Sequence, residues 1–143
     1  MRFMIIVKAS RKSEAGEMPS EKLLATMMAY HEQLAKAGVL LDGSGLHPSS
    51  KGWRIHYSTN GQTVTDGPFA ETKELVAGYT LIQVRSREEA MEWTRRFPAP
   101  HEAENGVLDA EIEVRQMFEL EDFEPSPAVD KAKELGMGTR STS

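Results

Sequence analysis

Three charged side chains fall within four positions at Glu71-Thr72-Lys73-Glu74, directly after Asp66-Gly67-Pro68-Phe69-Ala70. Two carboxylates and an ammonium at that spacing supply a proton acceptor, a cation and a second acceptor, the side-chain types that general acid–base chemistry needs. The stretch fits no repeating element. It has no apolar stripe to make a helix, and Gly67 and Pro68 interrupt a strand. A turn that delivers charged side chains is the natural reading. Asp66, Glu71 and Lys73 are therefore candidate catalytic residues. The plainer alternatives are a turn aspartate that accepts backbone N–H bonds and a solvated charged face.

His47 follows Gly43-Ser44-Gly45-Leu46 and could edge a pocket at the end of a strand, which makes it a fourth catalytic candidate. Arg115 stands in a strand pattern with Glu111 and Glu113 on its own face. It reads either as half of a cross-strand ion pair in the sheet or as a clamp for a substrate carboxylate. Tyr79 and Trp53 are the aromatic candidates for substrate contact. The remaining histidines, His31, His56 and His101, are widely spaced. None forms a His-x-x-His or His-x-x-x-His pair, and the chain has no cysteine, so neither a metal nor a cofactor is expected. His31 reads as a half-buried or exposed helix residue. Gly43-x-Gly45 lacks the Lys-Ser/Thr ending of a phosphate loop.

The elements that must hold these residues follow from periodicity. Residues 3–9 are a short apolar run rich in β-branched side chains, predicted as a buried strand, and 10–19 are a polar connection. Pro19-Ser20-Glu21 opens a helix in which Leu23, Met27, Tyr30, Leu34 and Ala37 recur every three or four positions before Gly38. Strands are predicted at 39–46 and 53–58. Asn60-Gly61 turns the second of these into a hairpin with 62–65. The strongest strand is 75–84, where Gly78 leaves room for a close neighbour. Ser86-Arg87-Glu88-Glu89 is a capping box, and its helix runs to Phe97 before Pro98. A last strand is predicted over 108–118.

This order, β-α-β, hairpin, β-α-β, predicts an α+β ferredoxin-like sandwich with both helices on one face of the sheet. The other face, with Trp53 and Tyr79 assigned to it, needs cover. A homodimer that pairs two sheets would supply it. Residues 1–118 form the domain. Residues 119–143 are an acidic extension with a short helix from Ser126-Pro127 to Leu135 and a frayed end over 137–143.

A chain of 143 residues with 27% charged residues is expected to be one soluble domain. Its net charge of −5 and the lack of a basic patch or helix-turn-helix pattern argue against nucleic-acid binding. The apolar run at the start is too short for a signal sequence or a membrane span, so a cytoplasmic location is expected.

The stretch Asp66-Gly67-Pro68-Phe69-Ala70-Glu71-Thr72-Lys73-Glu74 resembles the signature of the DGPF, or YCII-related, family. Further blocks resemble the family in the same order: Ala37-Gly38-Val39-Leu40-Leu41, Gly45-Leu46-His47-Pro48-Ser49, Ala77-Gly78-Tyr79, Glu89-Ala90-Met91-Glu92-Trp93 and Glu111-Ile112-Glu113-Val114-Arg115. The resemblance covers about residues 3–118 and implies a dimeric α+β barrel. Most members are uncharacterised bacterial proteins, some encoded beside extracytoplasmic-function sigma factors. A few wider relatives act in aromatic breakdown as dehydrochlorinases, with a histidine on the first helix and a downstream aspartate. Those positions correspond here to Met27 and to Phe97-Pro98, so that pair is not carried over.

Two functions follow as expectations. One is a cofactor-independent enzyme acting on a small acidic or aromatic metabolite by proton transfer, elimination or isomerisation. The other is a ligand-binding or regulatory accessory protein, linked to a sigma factor, with the same pocket and no turnover. For the charged residues, Glu71, Lys73 and Arg115 are expected to converge on one cleft, with Asp66 holding the turn.

Overall fold

A computed structural model describes residues 1–138. The strands are β1 (Arg2–Lys8), β2 (Leu40–Gly45), β3 (Trp53–Ser58), β4 (Gly61–Asp66), β5 (Val76–Gln83) and β6 (Ile112–Gln116). The helices are α1 (Arg11–Glu14), α2 (Glu21–Lys36), α3 (Arg87–Arg95) and α4 (Pro127–Glu134). Short 3-10 turns stand at Ser49–Lys51, Thr72–Glu74 and Leu120–Asp122.

Four strands form one antiparallel sheet in the order β2-β5-β1-β6. With α2 after β1 and α3 after β5, this is the ferredoxin-like α+β arrangement the periodicity predicts. Strand alternation sorts the sheet into two faces. Phe3, Ile5 and Ile82 point one way and meet Tyr30 and Leu34 of α2 and Ala90 of α3. Ile112 and Val114 of β6 pack on the edge of this core. Ile5, Leu34 and Ile82 are fully buried, each contributing about 1.5–3 kcal/mol relative to an exposed position.

Polar groups lock the two layers together. The Tyr30 hydroxyl donates to the carbonyl of Trp93 at 2.7 Å, linking α2 to α3. His31 is half-buried between α2 and the sheet. Its Nδ1 faces the Met27 carbonyl at 2.8 Å, and its Nε2 meets the Thr80 hydroxyl at 2.8 Å. The imidazole lies so near β2 that a Cβ on Gly43 would stand 3.2 Å from Nε2. Gly78 serves a similar end, because a Cβ there would stand 2.9 Å from the Ser44 carbonyl oxygen on the neighbouring strand.

The opposite face of the sheet carries Met4, Ile6 and Lys8 of β1, Tyr79 and Leu81 of β5, and Glu113 and Arg115 of β6. Trp53 is not on it. Trp53 belongs to the β3–β4 hairpin, a separate two-stranded sheet whose side chains are all exposed. Trp53, Ile55 and Tyr57 alternate with Arg54 and His56, and this alternation orders a hairpin outside the main sheet.

Other expectations shift locally. The connection at 10–19 contains α1, started by a reciprocal cap in which Ser10 and Ser13 bond each other's backbone. The last strand is five residues, Ile112–Gln116, rather than the predicted 108–118, and a tight turn at 104–107 precedes it. At α3, Ser86 Oγ accepts from Glu89 N–H at 3.1 Å, while the Glu89 carboxylate reaches back one residue further than a capping box, to Arg85 N–H at 2.9 Å. Ser126 caps α4 as predicted, with Pro127 at its start. Of the end expected to fray, residues 139–143 lie outside the described residues. No helix among the described residues is long and apolar enough to cross a membrane.

The acidic extension is tied to β1. Arg2 is buried, its Nε lies 3.1 Å from both Glu119 carboxylate oxygens, and its Nη2 donates to the Phe118 carbonyl at 3.0 Å. Phe118 and Phe123 stack with ring centroids 5.2 Å apart.

Candidate functional site

The signature is built against the 3-10 turn at Ser49–Lys51. At the base of the hairpin, Gly67 N–H donates to the Gly52 carbonyl at 2.9 Å. A Cβ on Gly67 would fall 1.8 Å from the Ser49 carbonyl oxygen, so only glycine allows this approach. The Gly67–Pro68 peptide is cis. Two residues on, Phe69 N–H donates to Ser49 Oγ at 3.0 Å. Ser49 is itself held by Glu14 of α1. One carboxylate oxygen accepts Ser49 N–H at 3.0 Å and the other accepts the Ser49 hydroxyl at 2.5 Å. A chain of polar contacts thus runs from α1 through Ser49 into the signature.

This junction leaves an open cleft of ≈ 390 Å³. Its apolar walls are Leu46, Pro48, Phe69, Leu75 and Val76, and its polar groups come from Glu14, His47, Ser49, Lys51 and Arg54. The volume suits a small organic molecule. Arg54 points from β3 over the Phe69 ring, its guanidinium carbon 3.8 Å from the ring centroid. Among the described residues, neither Arg54 nor Lys51 has a hydrogen-bond or ion-pair partner for its cationic head. Glu14, the one carboxylate in the lining, spends both oxygens on Ser49.

Of the residues singled out in the sequence, His47 lines this cleft and the others do not. Asp66 ends β4 opposite Trp53, and its side chain bonds no described residue. The expected turn carboxylate is therefore not formed; Ser49 and the Gly52 carbonyl organise the turn instead. Glu71 is exposed, and its backbone carbonyl accepts from Glu74 N–H. Lys73 approaches Asp109 at 3.9 Å, both nearly fully exposed.

Arg115 does not converge on Lys73. In the β1–β6 register it faces Met4, whereas the chain entering β5 from Lys73 meets the far end of β1 at Lys8. Four residues of strand separate those points, about 13 Å. Arg115 bonds Glu113 at 3.3 Å instead, and Lys8 reaches the same carboxylate at 3.4 Å. The Arg115 hydrogen bond, followed by the Lys8 charge, holds the Glu113 carboxyl below its ordinary range. The Arg115 pair runs along its own strand, to Glu113, rather than across strands. Tyr79 is half-buried beside that cluster on the open sheet face, and Trp53 is 64% exposed on the hairpin.

Glu14, Ser49, Lys51 and Arg54 were not among the sequence candidates. The alternation of 53–58 does place Arg54 opposite Trp53, Ile55 and Tyr57, and Ser10-x-x-Ser13 marks the start of α1. Nothing local to Glu14 tells that it meets Ser49, 35 residues away. Among the described residues, no group of three or more His, Asp or Glu side chains could hold a metal ion.

An uncharacterised protein of Rhizobium meliloti (strain 1021) is 33% identical over 75 residues, which is 52% of this chain and 60% of that protein, so the match spans less than two thirds of the relative's length. A solved structure of 5-chloro-2-hydroxyhydroquinone dehydrochlorinase from Burkholderia phenoliruptrix AC1100, in complex with 2,5-dihydroxybenzoquinone, aligns at 18% identity and a TM-score of 0.44, covering 83% of this chain and 95% of that one. The family model of the YCII-related domain matches residues 1–117. That match takes in all six strands and the signature at 66–74, and the chain belongs to the YCII-related domain family, also called DGPF.

Proposed function

We propose that the protein is a cofactor-independent enzyme acting on a small acidic or aromatic metabolite in the cleft beneath the signature, by proton transfer, elimination or isomerisation. The observation that carries this reading is an imidazole, His47, sharing an apolar-walled cleft with two cations that have no hydrogen-bond or ion-pair partner among the described residues. Imidazole is the side chain suited to exchanging a proton near neutral pH. The cations would bind an acidic substrate and stabilise negative charge as it develops. Phe69, Leu75 and Val76 give an organic body an apolar surface.

The test is exchange of substrate C–H or O–H hydrogens with deuterated water, followed by NMR over a panel of small acids and phenols. Exchange that falls by about a hundredfold in His47→Ala fits a general base.

A second reading has its own support. Because Glu14 is committed to Ser49, no carboxylate in the lining among the described residues is left to act beside His47. A reaction needing a carboxylate beside the imidazole would lack it. The protein would then be a binding or accessory component, with a sigma factor as the partner the family resemblance implies. Binding without exchange, unchanged in His47→Ala, would select this reading.

We also propose a homodimer formed through the open sheet face, where Met4, Ile6, Tyr79 and Leu81 make an apolar surface. Light scattering should give twice the chain mass. Leu81→Glu should shift it toward the monomer, and a wild-type monomer at micromolar concentration would remove the idea.

A further inference from the structure

We propose that Arg54 is the specificity-determining residue of the cleft, and that the ligand it selects is a monoanionic carboxylate on a flat, apolar body. This deepens the reading of the cleft as a small-molecule site and rests on it.

The guanidinium lies over the Phe69 ring at 3.8 Å, so the aromatic face fixes its position without using its N–H groups. No described residue accepts from those groups. A planar fork of donors held on a ring matches the two oxygens of a carboxylate, which it can bind through parallel hydrogen bonds. The same ring, with Leu75 and Val76, continues the wall along which a flat body would lie.

Phosphate is the competing anion, and the backbone argues against it. Phosphate sites draw on clusters of free backbone N–H groups. Here five such groups around the signature are spent on protein acceptors. Ser49 N–H goes to Glu14, Lys51 N–H to the Pro48 carbonyl, Gly52 N–H to the Ser49 carbonyl, Gly67 N–H to the Gly52 carbonyl and Phe69 N–H to Ser49 Oγ. The charge in the lining comes from Arg54 and Lys51, with the Glu14 carboxylate beside them. That balance favours one negative charge over two.

The experiment measures binding of benzoate and cinnamate to the full chain by ligand-observed NMR, against benzamide and phenyl phosphate. The wild type should bind the carboxylates at least about tenfold more tightly than the amide or the phosphate ester. Arg54→Lys keeps the charge and loses the fork, and should weaken carboxylate binding about tenfold with unchanged circular dichroism. Lys51→Ala should cost only two- to threefold, as expected of an exposed point charge (roughly). Benzamide binding as tightly as benzoate, phenyl phosphate binding more tightly, undiminished binding in Arg54→Lys, or no carboxylate bound up to about 10 mM would each overturn the proposal. Arg54-dependent binding without His47-dependent exchange would defeat the enzyme reading and leave this one standing. His47-dependent exchange that ignores Arg54 would do the reverse.

Discussion

The carbonyl oxygen of Ser49 occupies the space that any side chain at Gly67 would need. A Cβ at residue 67 would stand 1.8 Å from that oxygen and 2.6 Å from its carbon. Both partners are backbone, so no rotamer change relieves the overlap. One of the turn residues of the signature is thus explained by a neighbour 18 positions earlier in the chain.

Gly67→Ala should be among the most damaging single-methyl changes in the molecule. Forcing the two segments apart is expected to cost about 3 kcal/mol. A thermal melt should record a fall of roughly 10 °C. A shift within about 1 °C would mean that the two segments separate freely.

Ser49 and Glu14 should behave as a unit. Ser49→Ala removes the acceptor of Phe69 N–H and the hydroxyl held by Glu14, and is expected to cost about 1–2 kcal/mol. Glu14→Ala leaves the Ser49 N–H without its acceptor and should cost a similar amount. Urea denaturation of both single variants and the double variant should give a coupling above about 0.5 kcal/mol. Simple additivity would contradict the contact.

Burial pushes the Tyr30 phenol up to about 12, with the Arg96 charge pulling the other way. The unfolded chain releases this proton near the ordinary tyrosine value of 10.0, before the folded chain does. Folded protein therefore holds more protons between those values, and stability falls as pH rises through this window. Below pH 10 the contribution is fully present. Tyr30→Phe should flatten that alkaline loss in urea titrations. It should also cost about 1 kcal/mol at neutral pH, because the Trp93 carbonyl loses its donor.

The sequence made the sheet legible because its signals are local. The run at 3–9, the alternation within 75–84 and the 3.6-residue spacing of Leu23, Met27, Tyr30 and Leu34 each state a period that the core then uses. The cleft was legible only at His47, which follows a strand end directly. Glu14, Ser49 and Arg54 escaped because their meaning lies in contacts between segments far apart in the chain. The charges at Glu71 and Lys73 misled for the opposite reason. Their closeness in sequence looked like a cluster, but a short turn on the surface spreads them into solvent.

Arg2→Leu should free the acidic extension while leaving the sheet intact. It removes both the Glu119 contact and the donor to Phe118. Limited proteolysis should then cut between residues 118 and 126 at least about tenfold faster than in the wild type, since the local opening energy falls by roughly 1–3 kcal/mol. An unchanged digestion pattern would show that the extension is held elsewhere.

The hairpin that stands apart from the sheet also gives this protein a built-in optical probe. Trp53 is largely in water one residue from Arg54, while Trp93 is half-buried beneath the Arg96 guanidinium, 4.9 Å from it. These are the two tryptophans of the chain. In a Trp93→Phe background all indole emission comes from the root of the hairpin. Because that indole points to the face away from Arg54, a change in its emission on adding a ligand would report a movement of the hairpin itself, followed in real time without dye or label.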